Sequence, residues 1–435
     1  MHWATILALM FGAKIALMLI GVPVAFVFFI INIAGGILLL GGGAGLDQIV
    51  REATSSVAQF SLVPIPIFIL MGEILFHSGV AMRAVDAIDK AIRRVPGRLA
   101  IVTVVAGTVF SAISGSTIAT TAMLGSLLLP QMLNRGYERR TAMGPILAIG
   151  GVDILIPPSA LAVLLGSLAG ISISGLLIAG IVPGIVLSLL FVGYILVRCT
   201  LNPALAPKQE PLTEGQGTTL LPLLTHVLPL IGIFAVVVFS MTAGWATPTE
   251  SSALGAVATF AVAALYRSLS WAAIKKSFLG TLAISGAVMF ILVGATNFSQ
   301  LLSFSGATSG LVNAVQGMGL GTSALLICML AVLIFLGCFI DQTSIMMITL
   351  PFYMPIVRQL GIDPIWFGIL YLLCMQIGLL MPPFGLLLFV LKGVAPPGIT
   401  IGDIYRAAIP YVWLTVALMV LIFIFPEIVT TFAGG

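Results

Sequence analysis

The stretch "SAISGSTIATTAMLG", Ser111 to Gly125, decides how this chain folds. Small hydroxyl residues and a glycine cluster at Ser114-Gly115-Ser116-Thr117, with an apolar run of about fifteen residues on either side. Crossing a bilayer takes roughly 20 helical residues, so neither run is long enough to span. A polar tip between two such runs predicts a hairpin that enters the membrane, turns and leaves by the same face.

Composition supplies the membrane. The chain has 435 residues, 60% hydrophobic and 7% charged, with a mean hydropathy of +1.23. Soluble domains carry about 25% charged residues, so the fold class is an all-α polytopic membrane protein whose first partner is the lipid bilayer. The net charge of +4 lies in loops, and no basic run interleaves with aromatics, which leaves nucleic acid out. Cys199, Cys328, Cys338 and Cys374 stand singly in apolar sequence, without disulfide or metal-ligand spacing. "MHWATILALM" lacks a charged n-region and a cleavage site and reads as a retained helix. No GxxxxGK[ST], HExxH or GxSxG occurs, so neither ATP hydrolysis nor peptidase chemistry is expected, and the chain is not read as an enzyme.

Prolines and glycines disclose a repeat. "LPQMLNRGY" (129–137) and "MPIVRQLGI" (354–362) align Pro130 with Pro355 and Gly136 with Gly361, an offset of 225. At that offset "IPPS" (156–159) falls on "MPPF" (381–384), and Pro23 falls on Pro248. "GISIS" (170–174) resembles "GITIG" (398–402), and Pro183 matches Pro410, at offsets of 228 and 227. Collinear matches over so long a span mark a duplicated fold.

Charge gives the sense of each copy. The segment 83–98 carries Arg83, Lys90, Arg93, Arg94 and Arg98 against Asp86 and Asp89, a net +3, whereas its counterpart 307–322 has no charge. The positive-inside rule puts the first in the cytoplasm and the second outside, so the repeats are inverted. "NRGYERR" (134–140) is also basic, so both ends of hairpin 99–133 are cytoplasmic, and hairpin 323–357, turning near "FIDQTS" (339–344), enters from the other face.

The organisation read from the sequence is an N-terminal helix 1–22, a first inverted repeat 23–200, a cytoplasmic linker 201–220 and a second repeat 221–435. The first repeat holds an interfacial arm 83–98, hairpin 99–133 and a helix 142–170 broken at "DILIPPS" (153–159). The second holds hairpin 323–357 and a helix 365–395 broken at "GLLMPPFG" (378–385). Spanning helices are expected near 4–20, 22–40, 60–78, 174–198, 221–243, 248–266, 278–303 and 405–428, which puts both termini outside.

Irregular backbone at membrane depth persists only where protein or a water-filled cavity surrounds it. Pro157-Pro158 and Pro382-Pro383 free carbonyls one turn back, and a hard cation such as sodium prefers such oxygens and hydroxyls. Half-helix N-termini at the breaks and tips offer amides to a carboxylate. Asp153 and Asp341 stand in apolar sequence, where an acid is a functional candidate or a half-helix cap. The sodium candidates, for two or more ions, are Ser114, Gly115, Ser116, Gly151 and Asp153 in the first repeat. In the second they are Asp341, Gln376, Gly378 and Met381. Ser116, Thr117, Thr343, Pro158 and Pro383 are the substrate candidates. "TPTE" (247–250) reads as a capping box, Glu73 and His77 as an interfacial pair, and Lys14 as a snorkelling or partner-facing residue.

Taken together, "SGSTIATTAMLGSLLLPQM", "ILIPPS", "AGIVPG", "TPTESSALGA", "GCFID", "LGIDPIWFGIL" and "IGLLMPPFGLLLFV" resemble the large membrane subunit of tripartite ATP-independent periplasmic (TRAP) transporters. The resemblance covers nearly the whole chain. It implies a sodium-driven elevator importer of organic acids in a bacterial inner membrane, with a small four-helix membrane subunit and a periplasmic substrate-binding protein as partners. Gln131, Cys374, Met381 and Asp153 depart from the family pattern. A stand-alone ion or organic-acid antiporter or symporter of the same superfamily is the alternative.

Overall fold

Apolar sequence in a bilayer must satisfy every backbone donor and acceptor within itself, and the helix does so segment by segment. A computed structural model describes residues 2–92, 95–206, 221–317, 319 and 321–433, and no strand occurs among them. Arg93, Arg94 and most of the expected linker, 207–220, lie outside the described residues, as does the side chain of Ser114.

The chain opens with α1 (Trp3–Leu19). Then come α2 (Val24–Leu39), α3 (Gly43–Val57), α4 (Pro64–His77), α5 (Val80–Ala91), a hairpin of α6 (Arg98–Ser114) and α7 (Thr117–Asn134), α8 (Arg139–Gly150), α9 (Ala160–Ala169) and α10 (Ile173–Leu201). Next, α11 (Leu221–His226) and α12 (Leu228–Thr242) lead to α13 (Pro248–Leu265), α14 (Trp271–Phe304) and α15 (Ala307–Gly317). A second hairpin pairs α16 (Thr322–Gly337) with α17 (Gln342–Gln359), followed by α18 (Pro364–Leu380), α19 (Leu386–Val394), α20 (Ile401–Ile424) and α21 (Glu427–Ala433).

The offset seen in the prolines holds for the helices. Shifted by 225, α7 falls on α17 residue for residue, and α2, α6, α8 and α9 begin within one residue of α13, α16, α18 and α19. Among the described residues, four segments are long and apolar enough to cross a membrane alone: Phe60–His77, Ile173–Leu201, Trp271–Phe304 and Ile401–Ile424.

Three expectations change. The helix expected at 221–243 is two, interrupted at Val227, because Pro229 has no N–H for the carbonyl of Thr225. The Tyr266 hydroxyl donates to that carbonyl instead. The helix expected at 278–303 starts seven residues earlier, at Trp271, and corresponds to α3 and α4 together. Pro64 opens α4 as a separate helix after α3 has ended at Val57, whereas α14 has no proline. The arm α5 turns Ala84, Val85 and Ile88 inward. They pack against α6 and α11, so its apolar face meets protein rather than lipid.

Packing divides the helices by partner. Each hairpin lies on broken helices of both repeats: α7 on α8 and α19, α17 on α18 and α9. The straight helices α2, α4, α13 and α14 pack on one another, with α14 against α2 and α4 and α13 against α4.

Candidate functional site

The first hairpin turns on Gly115, whose φ of +57° is left-handed backbone that a side chain would strain. Ser116 then caps α7, its hydroxyl accepting from Ala119 N at 3.3 Å. This tip meets the break of its own repeat: a β-carbon on Gly115 would lie 3.5 Å from the Pro158 carbonyl and 3.9 Å from that of Phe68 on α4. Ser111 donates to Ile149 O, at the end of α8, at 3.2 Å.

The break itself runs from Gly151 to Ser159. A single 3-10 turn, Val152–Ile154, precedes the two prolines, and Ser159 caps α9 by accepting from Ala162 N at 3.3 Å. Gly151, Asp153, Pro157, Pro158 and Ser159 are all buried.

In the second repeat the glycines do the work that the tip glycine does in the first. Gly337 and Gly378 bring α16 and α18 into backbone contact, a β-carbon on either lying 2.7–2.8 Å from the other's Cα. Phe384 N donates to Cys338 O at 3.1 Å, tying tip to break. Asp341 caps α17, accepting from Ser344 N at 3.0 Å and from the Ser344 hydroxyl. Ser116 and Asp341 are thus the same cap, one offset apart, and the Asp341 carboxylate is engaged there. Thr117 and Thr343 sit in the first turns of their helices, both half-buried.

Gln376 lies one turn before the second break, whereas Gly378 is in the last turn of α18, its carbonyl accepting from Met381 N at 3.3 Å. Helix α18 continues through both to Leu380, because four residues still separate Gln376 from the nearest interruption. The turn runs from Met381 to Gly385, with Met381 and Pro382 half-buried and Pro383 and Phe384 exposed, and Tyr405 donates to Pro383 O at 2.7 Å. Gln376 crosses to the other repeat, its Nε2 donating to Ala148 O at 3.0 Å.

Around the end of α8 three side-chain oxygens are buried without a hydrogen-bond partner: Thr121 Oγ1, Asp153 Oδ1 and Gln376 Oε1. Two of them abut neighbouring glycines. A β-carbon on Gly150 would overlap Thr121 Oγ1, and one on Gly151 would overlap Gln376 Oε1. Stranding one buried acceptor costs about 1–3 kcal/mol. All three are oxygens and one belongs to a carboxylate, the donor types that hard cations prefer. No group of three or more His, Cys, Asp or Glu side chains assembles among the described residues. Sequence reading missed Thr121; its only signal was its place one turn beyond the tip.

The other residues singled out in the sequence have structural surroundings. Thr247 and Glu250 form the expected capping box, with Thr247 N donating to Glu250 Oε2 at 2.7 Å. Glu73 and His77 pair at 3.2 Å. Lys14 does not snorkel: it is buried, with Nζ 3.5 Å from the Phe28 ring centre and 3.9 Å from that of Phe298.

Residues 11–428 match the family described as tripartite ATP-independent periplasmic transporter, DctM component. Among similar proteins, the C4-dicarboxylate TRAP transporter large permease protein DctM of Pseudomonas aeruginosa is 34% identical over 371 residues, 84% of each chain. Its Rhodobacter capsulatus namesake is 31% identical over 443 residues, 97% of each. The 2,3-diketo-L-gulonate TRAP transporter large permease protein YiaN of Escherichia coli is 31% identical over 378 residues, 85% of this chain and 86% of that one. Two solved transporters share the fold at low identity. YdaH of Alcanivorax borkumensis has a TM-score of 0.62 at 14% identity, covering 91% of both chains. MtrF of Neisseria gonorrhoeae has 0.63 at 13%, covering 93% of this chain and 95% of that one.

Proposed function

Because the chain belongs to the DctM family of TRAP large permease subunits, transporters and not enzymes, we propose that it is a sodium-coupled importer of small organic acids. It sits in a bacterial inner membrane as a multi-pass protein with both termini periplasmic. A small membrane subunit braces its straight helices, and a periplasmic binding protein delivers the acid. The relatives named for C4-dicarboxylates and 2,3-diketo-L-gulonate support an acid as cargo.

The observation that carries the coupling is the trio of unpartnered oxygens at the end of α8. Thr121, Asp153 and Gln376, with carbonyls that the break leaves free, hold one sodium. The carbonyls of Met381 and its neighbours, beside the Asp341-capped tip, hold a second. The acid lies between the tips, near Ser116, Thr117 and Thr343, with the carbonyl sides of Pro158 and Pro383 behind it. Hairpins and broken helices move as one body against α2, α4, α13 and α14, an elevator across two inverted, re-entrant halves. An ion drives that movement only by binding the two positions differently. Sodium does so by joining α7, the break and α18, which order the tip for the acid.

Uptake into proteoliposomes tests this reading, with the subunits and binding protein, in sodium against potassium and with an organic-acid panel. Sodium-dependent uptake that requires the binding protein is the expected result. Sodium-dependent uptake without it supports a stand-alone symporter, and uptake indifferent to sodium removes the coupling.

A further inference from the structure

A cleft of about 380 Å³ runs between α17 on one side and α14 with the end of α9 on the other. On α17 its wall is the stripe from Met346 to Arg358, twelve residue steps apart, or about 18 Å of helix. It therefore reaches from one turn beyond the second tip to the outer end of that hairpin. Pro351 and Pro355 lie on this wall, and each leaves the carbonyl four residues earlier without its helical donor. Across the cleft stand the hydroxyls of Thr296 and Ser299, both half-buried.

Arg358 closes the far end. Its Nη2 donates to Ala169 O at 2.8 Å and, more weakly, to Gly170 O at 3.4 Å, which fixes the guanidinium on the last carbonyls of α9. No acid pairs with it among the described residues. A guanidinium has five N–H donors, so most stay available to a carboxylate. The matching position in the first hairpin is Leu133, so this arginine has no counterpart at that position in the first repeat.

We propose that this cleft is the path by which an organic anion reaches the second tip from the outside, with Arg358 selecting negative charge at its mouth. The proposal rests on the transport reading above and adds a place and a residue to it. The wall on α14 belongs to the straight helices and the wall on α17 to a hairpin, so relative movement of the two opens or shuts the path.

Thiol labelling tests the path without requiring transport. Ser299→Cys, and Thr296→Cys as an independent position, are made with Cys328→Ser to remove the exposed natural cysteine. Right-side-out vesicles then receive an anionic or a cationic membrane-impermeant methanethiosulfonate. The expected result is modification from outside, faster with the anionic reagent, and a fall of roughly tenfold in the anionic-to-cationic rate ratio on Arg358→Gln. Arg358→Lys should keep most of that ratio. Absence of labelling from outside, or a ratio unmoved by Arg358→Gln, overturns the proposal. Loss of sodium-dependent uptake in the unaltered complex would instead overturn the function, leaving the labelling result to stand.

Discussion

Gly151 and Gln376 occupy the same position in the two repeats, 225 residues apart, and they touch: a β-carbon on Gly151 would overlap Gln376 Oε1. A position that meets its own counterpart lies where a two-fold relation between halves brings them together. One copy is a glycine because the other is a glutamine, and the glutamine ties α18 to the end of α8 through Ala148 O.

That pairing makes the two positions interdependent. Gly151→Ala overpacks the contact and should destabilise the protein by about 1–3 kcal/mol. Gln376→Ala leaves Ala148 O without its donor, but combined with Gly151→Ala it should recover part of the loss. Thermal melts of both single variants and the double variant give the coupling. Strict additivity would mean that the two residues do not share the space.

Asp341 separates capping from charge. Asparagine caps as well as aspartate, so Asp341→Asn should leave stability within a few tenths of a kcal/mol, whereas Asp341→Ala should cost about 1 kcal/mol. Thermal unfolding with and without sodium reads both. If Asp341→Asn alone abolished a sodium-induced rise in the melting temperature, the carboxylate would be an ion ligand and not only a cap.

The repeat, both hairpins and both breaks were legible because they depend on local chemistry. Proline removes a donor wherever it stands, and serine or aspartate before a helix caps it. Residues 99–133 and 323–357 therefore foretold α6–α7 and α16–α17 to within two residues. What escaped was set by tertiary contact. Nothing near Gln376 in sequence says that it reaches Ala148, 228 residues away. Thr121 resembles Thr120 on paper, yet only the Thr121 hydroxyl meets Gly150. Lys14 looked like a residue bound for the membrane surface until Phe28 and Phe298 enclosed it.

Lys14 offers a third test. An amine enclosed by rings, with no hydrogen-bond acceptor for Nζ, is retained at a desolvation cost that only cation–π attraction offsets. Lys14→Met keeps the volume and removes that cost, so the melting temperature should hold or rise. Lys14→Ala empties the space and should cost about 2–5 kcal/mol, the range for large aliphatic truncations. A methionine variant as unstable as the alanine one would show that the charge is needed.

The sodium site proposed at the first break would have its own signature in binding, apart from transport. Asp153→Asn preserves shape and removes the buried carboxylic group, so the variant should be at least as stable as the parent without sodium. Thr121→Val should behave likewise, since it removes a hydroxyl that has no partner.

The measurement to make first is therefore the melting temperature of the purified subunit complex in sodium and in potassium at equal ionic strength. Parent, Asp153→Asn and Thr121→Val would be compared. With sodium at 100 times its dissociation constant, one bound ion adds about 2.7 kcal/mol, a rise of several degrees. Occupancy of the first break by sodium requires that rise in the parent and its reduction in both variants. A parent that melts alike in both salts, or variants that keep the full rise, would contradict a sodium ion held by Thr121, Asp153 and Gln376.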